Sequence, residues 1–203
     1  MLNKDKLRKI FHKKRKQNYY EVNKDFFKPL IILLKKIYKN KKVYLSTYYP
    51  SNYEVNSLKL FESLKKNNRI VTLLPLIKEK NSMLFFQWSP PETLKVNKYG
   101  MLEPIKNKKS LVPNISLVPL LAFDKKNYRL GYGKGYYDKY LNKYLSLKKN
   151  ILTIGVAFSF QKYHKLPISK FDVKLDYILT EKGIIKSIYS YLFYNPLFSQ
   201  NII

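Results

Sequence analysis

The 203-residue chain carries 40 Lys and Arg against 13 Asp and Glu, a formal charge of +27, with 45% hydrophobic and 16% aromatic residues and no cysteine. Those proportions suit one globular domain with a buried core and are too apolar for wholesale disorder, and the missing cysteines exclude disulfides, thiolate metal sites and a cysteine nucleophile. No apolar run approaches the ~18 residues of a membrane span and no apolar signal core follows the basic N-terminus, so a cytoplasmic protein with no membrane partner is expected.

The excess charge admits a partner rich in phosphate or carboxylate. The lysines, however, are scattered along the whole length, as on a solvated surface. An abundance of Lys, Asn, Ile, Tyr and Phe beside only two alanines, Ala122 and Ala157, is also what AT-rich coding imposes. Charge alone therefore names no partner.

In chain order, residues 3–17 and 24–38 read as helices separated by a polar break near Asn18 to Asn23. In the first, Leu7, Ile10 and Phe11 recur at helical spacing among basic residues. Lys42 to Ser46 reads as a strand entering a loop, and Glu54 to Lys66 as a helix with Val55, Leu58, Phe61 and Leu64 on one face. Ile70 to Leu74 is expected to be a strand ended by Pro75, which cannot donate to a ladder. Met83 to Trp88 is a further strand, and residues 89–114 read as irregular around Gly100, Pro104 and Pro113. Ile115 to Val118 forms a strand, after which Pro119 opens a loop to Arg129. Gly135 to Leu147 starts a helix from a glycine-rich turn. Leu152 to Ala157 and Asp176 to Thr180 are the later strands, Gly183 turns a hairpin into Ile184 to Ser187, and the tail after Tyr194 reads as frayed. Strands alternating with helices predict one α/β domain with a mainly parallel central sheet and helices on both faces. A monomer is the working expectation.

The segment that carries chemistry is Arg129 to Asp138, R-L-G-Y-G-K-G-Y-Y-D. Gly131, Gly133 and Gly135 remove side chains where a backbone must turn sharply or approach a ligand. The helix that follows aims its unpaired N–H groups and positive dipole end into that turn, which makes an anion site. Arg129 contributes a planar fork and Lys134 a mobile point charge for phosphate oxygens. Asp138, in the first turn of the helix, is placed to bind magnesium bridging such phosphates. Tyr132, Tyr136 and Tyr137 are available to stack on a flat ligand. The spacing matches neither a dinucleotide fingerprint nor a P-loop, and a plain tight turn is the alternative reading of the glycines by themselves.

Leu117 to Asp124, L-V-P-L-L-A-F-D, leads into Arg129 to Leu141, R-L-G-Y-G-K-G-Y-Y-D-K-Y-L. Together they resemble the signature of the 5-formyltetrahydrofolate cyclo-ligases, also called methenyltetrahydrofolate synthetases. Lys4-x-x-Leu7-Arg8, Tyr49 with Glu54-Val55, Tyr99-Gly100-x-x-Glu103-Pro104 and the closing segment from Gly155 to Glu181 resemble further pieces of that family in order and rough spacing. The resemblance implies a single α/β domain. It also implies ATP- and Mg2+-dependent cyclisation of 5-formyltetrahydrofolate to 5,10-methenyltetrahydrofolate, with ATP as co-substrate. Under it, Arg129, Leu130, Gly131, Tyr132, Gly133, Lys134, Gly135, Tyr136 and Tyr137 cradle the triphosphate, with Lys134 and Arg129 catalytic. Lys4 and Arg8, one helical turn apart, reach the nucleotide, and Asp138 and Asp172 hold the metal. Glu54 accepts from the pterin, while Tyr49 and Tyr132 to Tyr136 line the folate slot.

Each assignment has a plainer rival: solvated helix charges for Lys4 and Arg8, an N-terminal helix charge for Glu54, a loop-turning residue for Asp172. His12 and His164 have no partner at metal or triad spacing and receive no role. The sequence departs from the family pattern at Leu120 and Asn127, where glycine is usual, and at Phe171 and Asn56. Asn127 tolerates a left-handed turn, and Leu120 is expected to narrow the loop that grips the folate. Two other functions stay open, a basic nucleic-acid-binding protein using its 19 tyrosines for stacking and a phosphotransferase with another acceptor. The glycine segment favours the ATP-using readings, so a nucleic-acid partner is not expected. Surplus lysines near a folate slot would favour substrates with polyglutamate tails.

Overall fold

The computed structural model describes residues 2–64, 67–78, 82–106, 109–147 and 149–187. Its centre is built from short runs in which nearly every side chain is apolar: β1 (Val43–Ser46), β6 (Ile115–Pro119), β9 (Leu152–Val156) and β10 (Tyr177–Thr180). Runs of that kind are buried on both faces, the condition of a parallel sheet covered by helices. They form the middle of a seven-stranded sheet that β2 (Ile70–Lys78) and β3 (Ser82–Gln87) extend at one edge and β11 (Gly183–Lys186) at the other. The order is β11-β10-β9-β6-β1-β2-β3, with β2, β1, β6, β9 and β10 parallel and the two edge strands antiparallel.

Alternation along each strand divides the core. Val43, Leu45, Ile115, Leu117, Ile154 and Leu179 point to the face covered by α2 (Lys28–Tyr38) and α3 (Lys59–Leu64). Val118, Ala157 and Ile178 point to the opposite face, which α4 (Tyr136–Ser146) covers through Tyr140 and Leu141. Helices lie on both faces, as the sequence predicts. The remaining helix, α1 (Lys4–Asn18), lies on neither face. Leu7 and Phe11 pack on Leu121, Ala122, Leu130 and Leu166, so α1 crosses the loops that leave the carboxyl ends of the strands.

Several expectations are corrected by tertiary context. Ile10 is exposed, and the buried stripe of α1 is Leu7, Phe11 and Arg15. The second helix is divided into a 3-10 turn, Lys24–Phe27, and α2, with Pro29 in the first turn of the latter. The helix expected from Glu54 begins only at Lys59, which leaves Glu54 in a loop; Lys65 and Lys66 lie outside the described residues. Pro75 does not end its strand. At Pro75 the side of β2 that faces β1 is no longer paired, because β1 stops opposite Leu73, so the missing N–H breaks no ladder bond. Two residues on, that same side is met by Glu103, whose Oε2 accepts the Ile77 N–H at 3.2 Å. Residues 89–114 are not irregular throughout. They contain a hairpin, β4 (Leu94–Val96) and β5 (Leu102–Pro104), turned at Asn97 to Gly100 with Gly100 at φ 73°. The tail after Tyr194 lies outside the described residues.

Leu120 does not narrow a binding loop. It is 1% exposed and turns inward, where an added Cβ at Gly155 would lie 2.7 Å from its Cδ2, 2.7 Å from Ile178 Cδ1 and 2.8 Å from Leu175 Cδ1. A missing side chain on β9 thus makes room for an extra one after β6. Asn127 adopts the left-handed conformation anticipated for it, φ 63°, and is fully enclosed. Overpacking of this kind costs ~1–3 kcal/mol. Gly155→Ala is therefore expected to lower stability by that amount in urea melts, and Leu120→Ala by ~2–5 kcal/mol. Combining them should cost clearly less than the sum, because each relieves the other.

Candidate active site

The chain leaves β1 toward β2 on one side, whereas β6 leads to β9 on the other. Between β1 and β6 lies the point where strand order reverses, and open α/β sheets bind ligands in the crevice beyond the carboxyl ends there. Three segments converge on it: the loop after β1 (Thr47 to Glu54), the loop after β6 with its ribbon β7 (Ala122–Phe123) and β8 (Arg129–Leu130), and the glycine segment into α4.

The ribbon delivers the glycine segment by ordinary turn chemistry. Asp124 Oδ1 accepts the N–H groups of Lys126 (2.9 Å) and Tyr128 (3.1 Å), while Oδ2 accepts that of Leu166 (3.3 Å). Gly133 (φ 98°) and Gly135 (φ 69°) then turn the chain through conformations that side chains resist. Gly135 also caps α4, with no side-chain cap hydrogen bond, so the dipole end faces the loop as expected.

Around this loop the predicted residues fall into two groups. At the first, Arg129 is almost wholly buried; its Nη2 pairs with Asp138 Oδ1 at 2.8 Å and its Nη1 donates to the Val173 carbonyl at 3.0 Å. The Val173 N–H returns a bond to Asp138 Oδ1 at 3.0 Å. Next to Val173, Asp172 Oδ2 is paired with Lys4 and accepts the Ser169 N–H at 2.7 Å. Burial alone would raise the Asp172 pKa, but the Lys4 and Ser169 bonds outweigh it and hold the carboxyl below its ordinary value. Asp138 and Asp172 thus flank one peptide. Arg8 lies against the loop itself, its Nε donating to the Gly131 carbonyl at 3.0 Å and its Cζ 3.2 Å from where a Cβ on Gly133 would sit.

At the second group, Glu54 is 6% exposed. Tyr132 donates to its Oε1 at 2.5 Å and the Ser51 N–H to its Oε2 at 2.9 Å. Burial raises the Glu54 pKa, and Tyr132, Arg15 and Ser51 counter that only in part. Burial and the neighbouring Glu54 also push Tyr132 well up, so the phenol keeps its proton and acts as donor. Tyr137 is raised by burial too, and its hydroxyl is enclosed with no partner among the described residues. Tyr49 is half-buried, edge-on to Trp88 at 6.5 Å.

The exposed Lys134 lies at the mouth, its Nζ 5.9 Å from the Tyr99 ring, whose hydroxyl is 2.9 Å from that of Tyr136. The β4–β5 hairpin therefore reaches the glycine loop through Tyr99, a contact the sequence reading missed; the Asn97-x-x-Gly100 turn was its only local sign. Arg15 was missed as well, although it occupies the next place, i+4 from Phe11, in the buried stripe of α1. The hard oxygen donors of Asp138 and Asp172 suit Mg2+, which is commonly held by one or two carboxylates together with substrate phosphates. No cluster of three metal-binding side chains occurs among the described residues.

An open α/β sheet whose polar groups converge beyond its switch point defines a protein that takes its ligand at the carboxyl edge. A model of the 5-formyltetrahydrofolate cyclo-ligase family matches residues 3–181. A 5-formyltetrahydrofolate cyclo-ligase of Haemophilus influenzae is 33% identical over 141 residues, covering 66% of this chain and 74% of the relative. One from Mycoplasma genitalium is 34% identical over 139 residues, covering 66% and 70%. The solved 5,10-methenyltetrahydrofolate synthetase of Aquifex aeolicus superposes with a TM-score of 0.69 at 32% identity, covering 95% of this chain and 96% of that one. The chain belongs to the 5-formyltetrahydrofolate cyclo-ligase family and is a ligase. Among the described residues no helix is long and apolar enough to cross a membrane.

Arg129 and Lys4 are predicted to differ in structural weight. Arg129→Met strands Asp138 beside the buried Val173 peptide and should cost on the order of 3 kcal/mol in denaturant melts. Lys4→Met breaks a partly solvated pair and should cost ~1 kcal/mol or less.

Proposed function

We propose that this protein cyclises 5-formyltetrahydrofolate to 5,10-methenyltetrahydrofolate, consuming ATP and releasing ADP and phosphate. The observation that carries this reading is the pairing, across one crevice, of a glycine loop at a helix N-terminus with a buried, ionisable Glu54. The first suits a triphosphate; the second suits the adjacent N–H donors of a pterin, which a carboxylate accepts side by side.

In the proposed reaction the formyl oxygen attacks the γ-phosphorus, the bridging β–γ P–O bond breaks, and ADP leaves. N10 then attacks the formyl carbon, the C–O bond to phosphate breaks, phosphate departs, and N10 loses its proton. Such phosphoryl transfer depends on positioning and on neutralising charge. Leu130 to Tyr137 wrap the phosphates, with Gly131 and Gly133 allowing close approach. Lys134, mobile and solvated, follows the transferring phosphoryl group, while Arg129 contributes its charge from the wall of the site. Lys4 and Arg8 extend the cationic side from α1. Magnesium, when held by Asp138 and Asp172, supplies charge neutralisation at the phosphate oxygens. Tyr49, Tyr132 and Tyr136 line the folate side. A polyglutamate tail on the folate would meet the lysine-rich surface.

Turnover is followed by the ultraviolet absorbance of the methenyl product and should require both ATP and Mg2+. Lys134→Ala removes an exposed charge, so the fold should survive while turnover falls about 100-fold or more; an unchanged rate would sink the assignment. Glu54 accepts side by side on both oxygens only when ionised, and its pKa is raised. The kcat/KM for 5-formyltetrahydrofolate should accordingly fall as pH drops, with a midpoint above the ordinary carboxylate range. Glu54→Gln should lack that acid limb and have a lower plateau.

A further inference from the structure

Arg15 is 1% exposed and takes part in no ion pair among the described residues. A guanidinium so enclosed costs several kcal/mol unless its surroundings compensate it, and its bonds show what the compensation is. Nη1 donates to the carbonyl of Leu120, directly after β6, at 3.2 Å, and Nη2 donates to the carbonyl of Asn52, in the loop after β1. The side chain therefore ties together the two loops that bound the switch-point crevice. Its Cζ lies 5.4 Å from the Tyr132 ring centroid, a cation–π distance, and Tyr132 is the donor to Glu54.

Asn52 is also no ordinary loop residue. It and Tyr53 are consecutive non-glycine residues at positive φ, 48° and 62°, immediately before Glu54. Strain of this kind persists only where surrounding bonds over-determine the backbone. Arg15 supplies one on Asn52; Glu54 supplies another by accepting the Ser51 N–H.

Resting on the folate reading above, we propose that Arg15 is a positioning residue for substrate selection: it holds the strained Asn52-Tyr53 turn and the Tyr132 ring so that Glu54 presents its carboxylate to the pterin. Arg15 touches neither substrate. It acts on the folate half of the site through Glu54 and Tyr132, and leaves the phosphate half, anchored by Arg129 and Val173, alone. The groups facing Glu54 from the packed elements are Tyr48, Ser51, Tyr132, Tyr137 and Arg15, of which Arg15 alone is cationic.

The test uses the full-length Arg15→Lys and Arg15→Met proteins, each checked for a wild-type circular dichroism spectrum. If the Met variant does not fold, the Lys variant, which keeps the charge and loses the fork, decides. The first readout needs no ligand: amide hydrogen exchange at Ser51, whose N–H bonds to Glu54, compared with Val173, whose N–H bonds to Asp138. Loss of a charged hydrogen bond predicts exchange faster by about 10-fold or more at Ser51 and unchanged at Val173. Equal protection at Ser51, or equal loss at both, overturns the proposal. The second readout is calorimetric binding, where the variants should weaken 5-formyltetrahydrofolate by about 10-fold and ATP by less than about twofold. Parallel loss of both ligands overturns the proposal in favour of a general structural role. A wild-type protein that binds no 5-formyltetrahydrofolate overturns the folate reading instead, and the exchange result then still judges what Arg15 holds.

Discussion

Two parallel strands that part company at their carboxyl ends create the feature on which the rest of this molecule is arranged. From β1 the chain proceeds to one side of the sheet and from β6 to the other, so no crossover covers the space between them. The last carbonyl groups there are beyond the ladder and must find other partners. Leu120 O is met by Arg15 and by the buried amide of Gln161, at 2.9 Å from the latter. Gln161 also donates to Leu121 O at 3.0 Å and accepts the Phe158 N–H at 2.7 Å, tying the loop after β6 to the one after β9. The crevice is open to a ligand, while its floor is closed by side chains that satisfy backbone.

That floor explains why α1 lies where it does. A helix carrying this many basic residues would be expected to lie on the surface by its charge alone. Its narrow stripe of Leu7, Phe11 and Arg15 instead seats it across the loops, with Lys4 beside Asp172, Arg8 on the glycine loop and Arg15 beneath Tyr132. One helix thereby supplies cations to both halves of the site. The 13 acidic residues are scarce beside 40 basic ones, and those in the site are individually committed: Asp138 to Arg129, Asp172 to Lys4, Glu54 to Tyr132 and Ser51. Such local pairing matters more for the chemistry than the formal charge of +27, because solvent and salt screen the surface lysines.

The two ends of the site are built differently. The end at Arg129 rests on a cycle of bonds among Arg129, Asp138 and Val173. The end at Glu54 rests on residues in costly left-handed conformations, Asn52 and Tyr53, and on a carboxylate that burial disfavours. Strain and raised pKa values cluster at sites that must select a ligand.

The order of strands and helices was legible because apolar runs of the parallel strands and the 3.6-residue stripes of the helices are local signals, each contained in its own segment. The glycine segment was legible for the same reason: the turn, the helix start and the charges are all within reach of one another in sequence. Pro75 misled because its effect depends on where a neighbouring strand stops, and Glu54 because the helix it was assigned to starts later, at Lys59. Leu120 read as a change in a binding loop because the gap at Gly155 that accepts it is far away in sequence. By itself the sequence determined the α/β class, the glycine turn that opens α4 and the family. Only the tertiary structure decided that Arg15, Tyr132 and Glu54 lie together, since their contacts join segments tens of residues apart, and a carbonyl needing a donor at a strand end leaves no mark in the residue that bears it.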